Sequence, residues 1–269
     1  MAILQPGIEA LSSRLLRLMD KGVTARQNIA LLRYARAVDI HLNWNLLYGF
    51  PGDIAEDYRD VLDLIPILRH LQPPTDLCRL SVDRFSPYHF DGPRYGIRGL
   101  RPMDSYFSVL PHGAAVDKVA YHFVGDYESG SLADPVLLNQ LESAVEEWKA
   151  NWSREDAAPP CLAVVELGGE QFVLVDGRNL EDTSPVQFLD RQQVAAVLVQ
   201  LPANQIGEAQ RWALSCKLAL EMDGWYVPLA TAAPELLAEF EGRRLQLIST
   251  GQEPCVDVRV DESVRNEAR

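Results

Sequence analysis

Apolar and polar positions alternate along His41-Leu42-Asn43-Trp44-Asn45-Leu46-Leu47-Tyr48, and a Gly49-Phe50-Pro51-Gly52-Asp53 loop follows. The alternation predicts a strand with Leu42, Trp44 and Leu46 on one face and His41, Asn43 and Asn45 on the other. A parallel strand covered by helices on both sides is usually apolar on both faces. A polar face in that setting points to a lined cavity, as at the mouth of an α/β barrel. Gly49 and Gly52, with Pro51 fixing φ between them, bring bare backbone close to whatever fills the cavity. The plain alternative is an ordinary strand-to-helix turn whose buried polar groups are satisfied locally.

The same patterning predicts the neighbouring elements. Ser12 or Ser13 caps a short helix that runs to Met19. Thr24 and Gln27 form a capping box. The helix behind it turns Ile29, Leu32, Tyr34 and Ala35 to the core and Arg26, Arg33 and Arg36 to water. After the glycine loop, Ile54, Tyr58, Val61, Leu62, Ile65 and Leu68 recur at helical spacing, with Pro66 expected to kink or end that helix. A second strand, Leu77 to Phe85, puts Cys78, Leu80 and Val82 on one side and Arg79, Ser81 and Asp83 on the other. Two such strands with a helix between make a βαβ unit, and their polar sides are expected to share one space. The stretch from Ser86 to Gly130 is rich in aromatic residues, Gly and Pro, and reads as long covering loops with short elements.

A boundary is expected near Asp126 to Ala133. Asp134-Pro135 starts a helix as N-cap and N1, with Leu138, Leu141, Val145, Trp148 and Trp152 as its stripe. Leu162 to Glu166 and Gln171 to Val175 read as a hairpin turned by Gly168-Gly169. Helices at Asp190 to Gln200 and Glu208 to Glu221, then a strand at Trp225 to Leu229, complete a small winged-helix-like pattern. The expected organisation is an α/β fold. Residues 1–130 are expected to hold the βα units with covering loops, 131–241 a small α+β module, and 242–269 a disordered tail.

Composition narrows the partners. The chain has 269 residues, 47% of them hydrophobic, which is enough for a sizeable core. Its net charge is -13, which argues against a general affinity for nucleic acid or an anionic membrane. No apolar run spans a bilayer and no signal peptide is evident, so a cytoplasmic protein is the default expectation. Cys78, Cys161, Cys216 and Cys255 are scattered, giving neither a disulfide framework nor a metal-binding pattern. Tyr88 and His89 follow a strand with a polar face, where a general acid or base could stand; the plain reading is that they close the loop. Asp83 and Arg84 fit a structural ion pair, His41 a satisfied core hydrogen bond, and Glu142, Glu146 and Glu147 a solvated face.

Gln5-Pro6-Gly7-Ile8-Glu9, Gly22-Val23-Thr24, Trp44 to Gly52 and Asp83-Arg84-Phe85-Ser86-Pro87-Tyr88-His89 carry a resemblance. Over residues 3 to 130, and more loosely to about 230, the chain resembles the C-terminal portion of radical SAM maturases of ribosomally made peptides. These are the cobalamin-binding type, often peptide C-methyltransferases. The resemblance implies a partial (β/α)6 barrel that binds S-adenosylmethionine at its mouth, on a [4Fe-4S] cluster. It implies polar contacts from Glu9, Asn43 and Asn45, and adenine packing against Gly49 to Gly52. Gln5, Tyr48, Ser81 and Asp83 complete the implied cofactor pocket, with Tyr88 and His89 as candidate catalytic groups.

The CxxxCxxC motif of that family is absent from this sequence, as are its preceding strands and a cobalamin-binding segment. Scattered cysteines cannot hold a cluster, so this chain alone is expected not to perform radical chemistry. Because Ala2-Ile3-Leu4 reads as the end of a strand, a partner chain carrying the missing half is expected, with a precursor peptide as substrate. The alternatives are a non-catalytic peptide-binding module and a decayed gene product.

Overall fold

The structure is a computed structural model that describes residues 2–154, 157–181 and 183–242. The chain opens with β1 (Ala2–Leu4), α1 (Ser13–Leu18), α2 (Ala25–Ala37), β2 (Ile40–Leu42), β3 (Asn45–Tyr48), α3 (Ala55–Leu68) and β4 (Asp76–Arg79). Ser12 caps α1 by accepting from Leu15 N. Thr24 and Gln27 form the capping box of α2. Pro66 does not end α3, which continues to Leu68. Proline removes one hydrogen bond there, and the buried stripe of Tyr58, Val61, Ile65 and Leu68 holds the last turn.

β1 pairs in parallel with β2, and β3 pairs in parallel with β4. Between them Glu9 bridges Leu46, also in parallel, and Leu47 N donates to Glu9 O at 2.8 Å. Three successive passes of chain therefore lie side by side in one direction, with helices between them. The expected strand over 40–48 is interrupted at Asn43-Trp44. Among the described residues the strands do not close into a barrel; β1 and β4 are its open edges. Ile3 and Leu4 stand exposed on the first of these edges.

The expected pooling of both polar sides is corrected by the register. Asn45 lies beside Asp76, Leu47 beside Cys78 and Tyr48 beside Arg79. Residues in register point the same way from a pleated sheet. Arg79 therefore shares the side of Tyr48, not that of Asn45. Alternation within a strand does not encode its offset from a neighbour, which the crossover sets.

Beyond β4 the chain forms β5 (Val82–Asp83), α4 (Pro87–Phe90), β6 (Arg98–Pro102), α5 (Ser105–Val109), α6 (Val116–Val119) and β7 (His122–Asp126). β7 is the middle strand of an antiparallel sheet with β5 and β6. The second expected strand is thus divided between two sheets. α7 (Pro135–Trp152) follows, capped by Asp134. Its buried residues are Leu137, Leu141, Val145 and Trp148, and Trp148 packs edge-on against Trp44.

The remaining elements are β8 (Leu162–Gly168), β9 (Gln171–Asp176), β10 (Val186–Leu189), α8 (Arg191–Leu198), β11 (Leu201–Pro202), α9 (Glu208–Ser215), β12 (Ala219–Met222), β13 (Trp225–Pro228), β14 (Thr231–Ala232) and α10 (Pro234–Phe240). The Gly168-Gly169 hairpin forms as expected, with both glycines at positive φ. β10 was not foreseen. α9 is shorter than its pattern implied, because residues 219–222 pair with β13. The expected disorder of the tail falls on residues that, from 243 onward, lie outside the described ones.

Arg33 is another correction. Expected in water, it is 2% exposed. Its Nε donates to Ala230 O at 2.5 Å and its Nη2 to Leu198 O at 2.7 Å. Arg26 and Arg36 lie over the rings of Trp225 and Trp152. The face of α2 read as solvated is instead covered by the second half of the chain, a long-range contact that no local pattern announces.

Candidate functional site

The turn from β3 into α3 is built around Asp53. Its Oδ2 accepts from Phe50 N at 3.0 Å, Tyr58 Oη at 2.6 Å and Ser131 Oγ at 2.7 Å. Its Oδ1 accepts from Ser131 N at 3.2 Å. Burial and the Asp53 carboxylate push the Tyr58 hydroxyl far above its usual range. Gly49 N reaches Tyr58 Oη and Ser131 Oγ, and Gly49 O accepts from Tyr127 Oη at 2.9 Å. Gly49 sits at φ 79° and Gly52 at φ 76°, where other residues are strained. The loop is rigid for reasons internal to the protein. Gly49 is buried with both backbone groups engaged, whereas Gly52 is exposed.

The polar row of the first strand is open. His41, Asn43 and Asn45 are exposed while Leu42, Trp44 and Leu46 are buried. Asn43 Oδ1 accepts from Thr75 Oγ1 at 2.8 Å. His41 was expected in the core and is at the surface, because it belongs to this same open side. Gln5 is exposed, Tyr48 is half-buried, and Glu9 is half-buried with its carboxylate paired to Lys21 Nζ at 2.7 Å. Tyr88 has none of His41, Asn43 or Asn45 among its hydrogen-bond or ring partners, though Glu9 is near enough to act on its hydroxyl. Its ring is buried against Tyr95 and its hydroxyl donates to Leu18 O at 2.8 Å. His89 packs edge-on against Phe123, with Nδ1 buried and unpartnered among the described residues.

A second cluster lies past the carboxyl end of β4, where open parallel sheets present their ligand sites. Leu80 N still donates to Tyr48 O at 2.7 Å, and the chain then delivers Ser81 and Asp83. Asp83 faces His122 across the β5–β7 pair, with Oδ1 2.7 Å from Nδ1. Ser81 Oγ donates to the same Oδ1 at 3.1 Å. The expected Asp83–Arg84 ion pair does not form. Arg84 donates to the carbonyls of Ala120 and Asp117 instead. His122 was missed because its partner is 39 residues away; the Tyr121-His122-Phe123 texture was its only local signal. Tyr106 Oη accepts from both Tyr121 N and His122 N.

Among the positive-φ non-glycine residues are Glu9, on the first pass of chain, and Phe85, two residues past Asp83. Glu9 has φ 55° and Phe85 φ 72°. For an aromatic residue that conformation is costly, and such strain collects at functional sites. Phe85 is 68% exposed and its ring pairs with that of Phe90, 71% exposed.

Among the described residues no three His, Cys, Asp or Glu side chains stand together to hold a metal. Cys78, Cys161 and Cys216 are free thiols in separate parts of the fold. These donors do not fit an iron–sulfur cluster, which needs gathered thiolates. A cleft of about 580 Å³ lies elsewhere, between α2, β8 and β14, lined by Arg36, His70, Cys161 and Glu235 among others. Its lining includes neither the His41, Asn43 and Asn45 row nor Ser81, Asp83 and His122. Its His70 is 1% exposed, with Nε2 2.9 Å from Leu229 O. Burial and Arg178 push that imidazole down to about 3, so it stays neutral.

No family model matches the chain. Short stretches are similar to tRNA-2-methylthio-N(6)-dimethylallyladenosine synthases. That of Pelotomaculum thermopropionicum is 34% identical over 64 residues, 23% of this chain and 14% of that protein. That of Haemophilus influenzae is 38% identical over 60 residues, 22% of this chain and 13% of that protein. That of Legionella pneumophila is 35% identical over 60 residues, with the same two shares. The match spans about one seventh of the relatives' length. It is a weak, partial homology to the radical-SAM family.

Proposed function

We propose that the open side of β2 and β3, with the turn that follows, forms part of the S-adenosylmethionine pocket of a radical-SAM-type enzyme that modifies a ribosomally made peptide. The observation that supports it most is the division of one strand. Asn43 and Asn45 stand open beside parallel neighbours while Leu42, Trp44 and Leu46 are buried. Asn43 and Asn45 would offer amide donors and acceptors to the ligand's polar edges. Glu9 would border it, whereas Tyr48 turns to the other side of β3 and Ser81 and Asp83 stand with His122 in the separate cluster past β4. Gln5 lies on the approach, and the Gly49 to Gly52 turn would supply a close, inflexible wall.

S-adenosylmethionine supplies a sulfonium whose cleavage needs an electron, and among the described residues the cysteines are too scattered to gather a cluster that would deliver one. The chain's own role is to bind and orient. A second polypeptide stretch bearing a CxxxCxxC motif would complete the site. The exposed edge β1, with Ile3 and Leu4, supports that pairing, since unpaired apolar edges recruit strands.

The relatives' printed name concerns tRNA. The net charge of -13 weighs against a phosphate backbone as the ligand of this chain. A peptide fits better, and residues 131–241 are the proposed module that holds it.

The test is calorimetric titration of the full chain with S-adenosylmethionine. Binding that is lost in Asn45→Asp and retained in Glu142→Gln supports the reading. Absence of heat both for the chain alone and for the chain co-purified with a CxxxCxxC-bearing partner overturns it.

A further inference from the structure

We propose that His122 is a proton acceptor of this protein, aimed by Asp83, for a peptide substrate that presents an acidic N–H or O–H beside an apolar or aromatic side chain. The choice of a peptide rests on the reading above; the proton-acceptor role does not. An ionised carboxylate only accepts hydrogen bonds. The 2.7 Å contact of Asp83 Oδ1 with Nδ1 therefore places the ring proton on Nδ1. The lone pair is left on Nε2, which no described residue occupies. This is the base-and-orienter arrangement of general-base catalysis.

The surroundings hold the pair in place and leave it accessible. Asp83 and His122 are cross-strand partners in β5 and β7, so backbone pairing fixes their separation. Ser81 adds a hydrogen bond to the same carboxylate oxygen. Tyr106 grips the His122 backbone N–H. The two side chains remain 49% and 44% exposed, so a substrate can reach them. The Tyr121 ring stands against that of His122 at 5.2 Å, and Phe85 and Phe90 lie exposed just beyond Asp83 in the chain. Exposed aromatic rings next to a base form a platform for an apolar group.

When the base acts, Nε2 takes the substrate proton and the bonding pair stays on the substrate N or O. The imidazolium so formed pairs with the Asp83 carboxylate and returns the proton to solvent or product.

p-Nitrophenyl acetate probes this lone pair without any cofactor. Nε2 attacks the acetyl carbon, the C–N bond forms, and the aryl C–O bond breaks as p-nitrophenolate leaves with its electrons. The ring is left an acetylimidazolium; water then adds to the acetyl carbon, the C–N bond breaks with its pair returning to Nε2, and acetate and two protons go to solvent. In the full chain, His122→Gln is expected to lower this hydrolysis about fivefold or more, and Asp83→Asn by about threefold. His112→Gln should stay within about twofold of the parent. Tyr121→Ser should raise KM for p-nitrophenyl butyrate and leave kcat in place. Should His122→Gln fail to fold, diethyl pyrocarbonate labelling of the parent replaces it, with His122 expected to react fastest of the five histidines. Hydrolysis unchanged in His122→Gln, or labelling slower at His122 than at His41 and His112, overturns the proposal. S-adenosylmethionine titration of His122→Gln separates the two readings, because its heat should be unaltered.

Discussion

Asp53 gathers four hydrogen bonds on one buried carboxylate and so decides the shape of the turn after β3. Asp53→Ala leaves Tyr58 Oη, Phe50 N and Ser131 Oγ without their acceptor, and a loss of about 3 kcal/mol is expected in urea denaturation. Tyr58→Phe removes one of those bonds and should cost about 1 kcal/mol. His70 gives a pH signature. Its unfolded imidazole takes up a proton near 6.5, and the folded one only near 3. Between those values the unfolded chain binds the extra proton, so stability falls as pH drops from about 6.5 toward 3, by up to ~1.4 kcal/mol per pH unit. His70→Gln should flatten that part of the acid limb. Several of these residues were legible in the sequence only as bland positions. Asp53 read as a loop residue, since Ser131, its partner, is 78 positions away. His41, expected to make a hydrogen bond in the core, follows instead the exposed phase of its own strand.

At the scale of elements, caps and periodicities transferred directly to structure. Ser12, Thr24, Asp134 and Asp190 each start the helix expected of them, because an N-cap is decided by three or four consecutive residues. Strand ends and offsets did not transfer. Leu77 to Phe85 alternates as one strand, yet it is shared between two sheets, since pairing partners are chosen across the fold. Gly130 shows how close the elements approach. A Cβ there would meet Ile54 Cα at 2.8 Å and Asp53 O at 2.9 Å, both backbone atoms. Gly130→Ala should therefore push the β7–α7 connection off the start of α3. A loss of about 2 kcal/mol is expected by thermal denaturation, with a larger effect on any ligand held by the Gly49 to Gly52 turn.

The whole molecule joins its first and second halves through polar contacts that the sequence did not announce. Arg33 reaches Leu198 O and Ala230 O, Ser13 Oγ donates to Asp223 at 2.6 Å, and Arg178 Nη1 donates to Ile67 O at 3.1 Å. Arg178 is fully buried with Asp176, whose carboxyl is held low by that guanidinium despite its burial. Arg33→Ala strands two carbonyls and should cost about 3 kcal/mol, with both halves losing structure at one lower Tm in calorimetry. The open edge at β1 belongs to this scale too. An excess of a strand-bearing partner should raise Tm, and crosslinking should place that partner at Ile3.

The Arg33 side chain also governs how this chain can be cut. A fragment beginning near residue 131 would retain the carbonyls of Leu198 and Ala230 and lose the cation that fills them. One ending there would retain the cation and lose the Leu198 and Ala230 carbonyls and the Glu241 carboxylate. Limited digestion in the link between α7 and β8 should therefore leave a nicked pair that co-elutes, and dilution or recombination of the two stretches into separate products should give insoluble material from each.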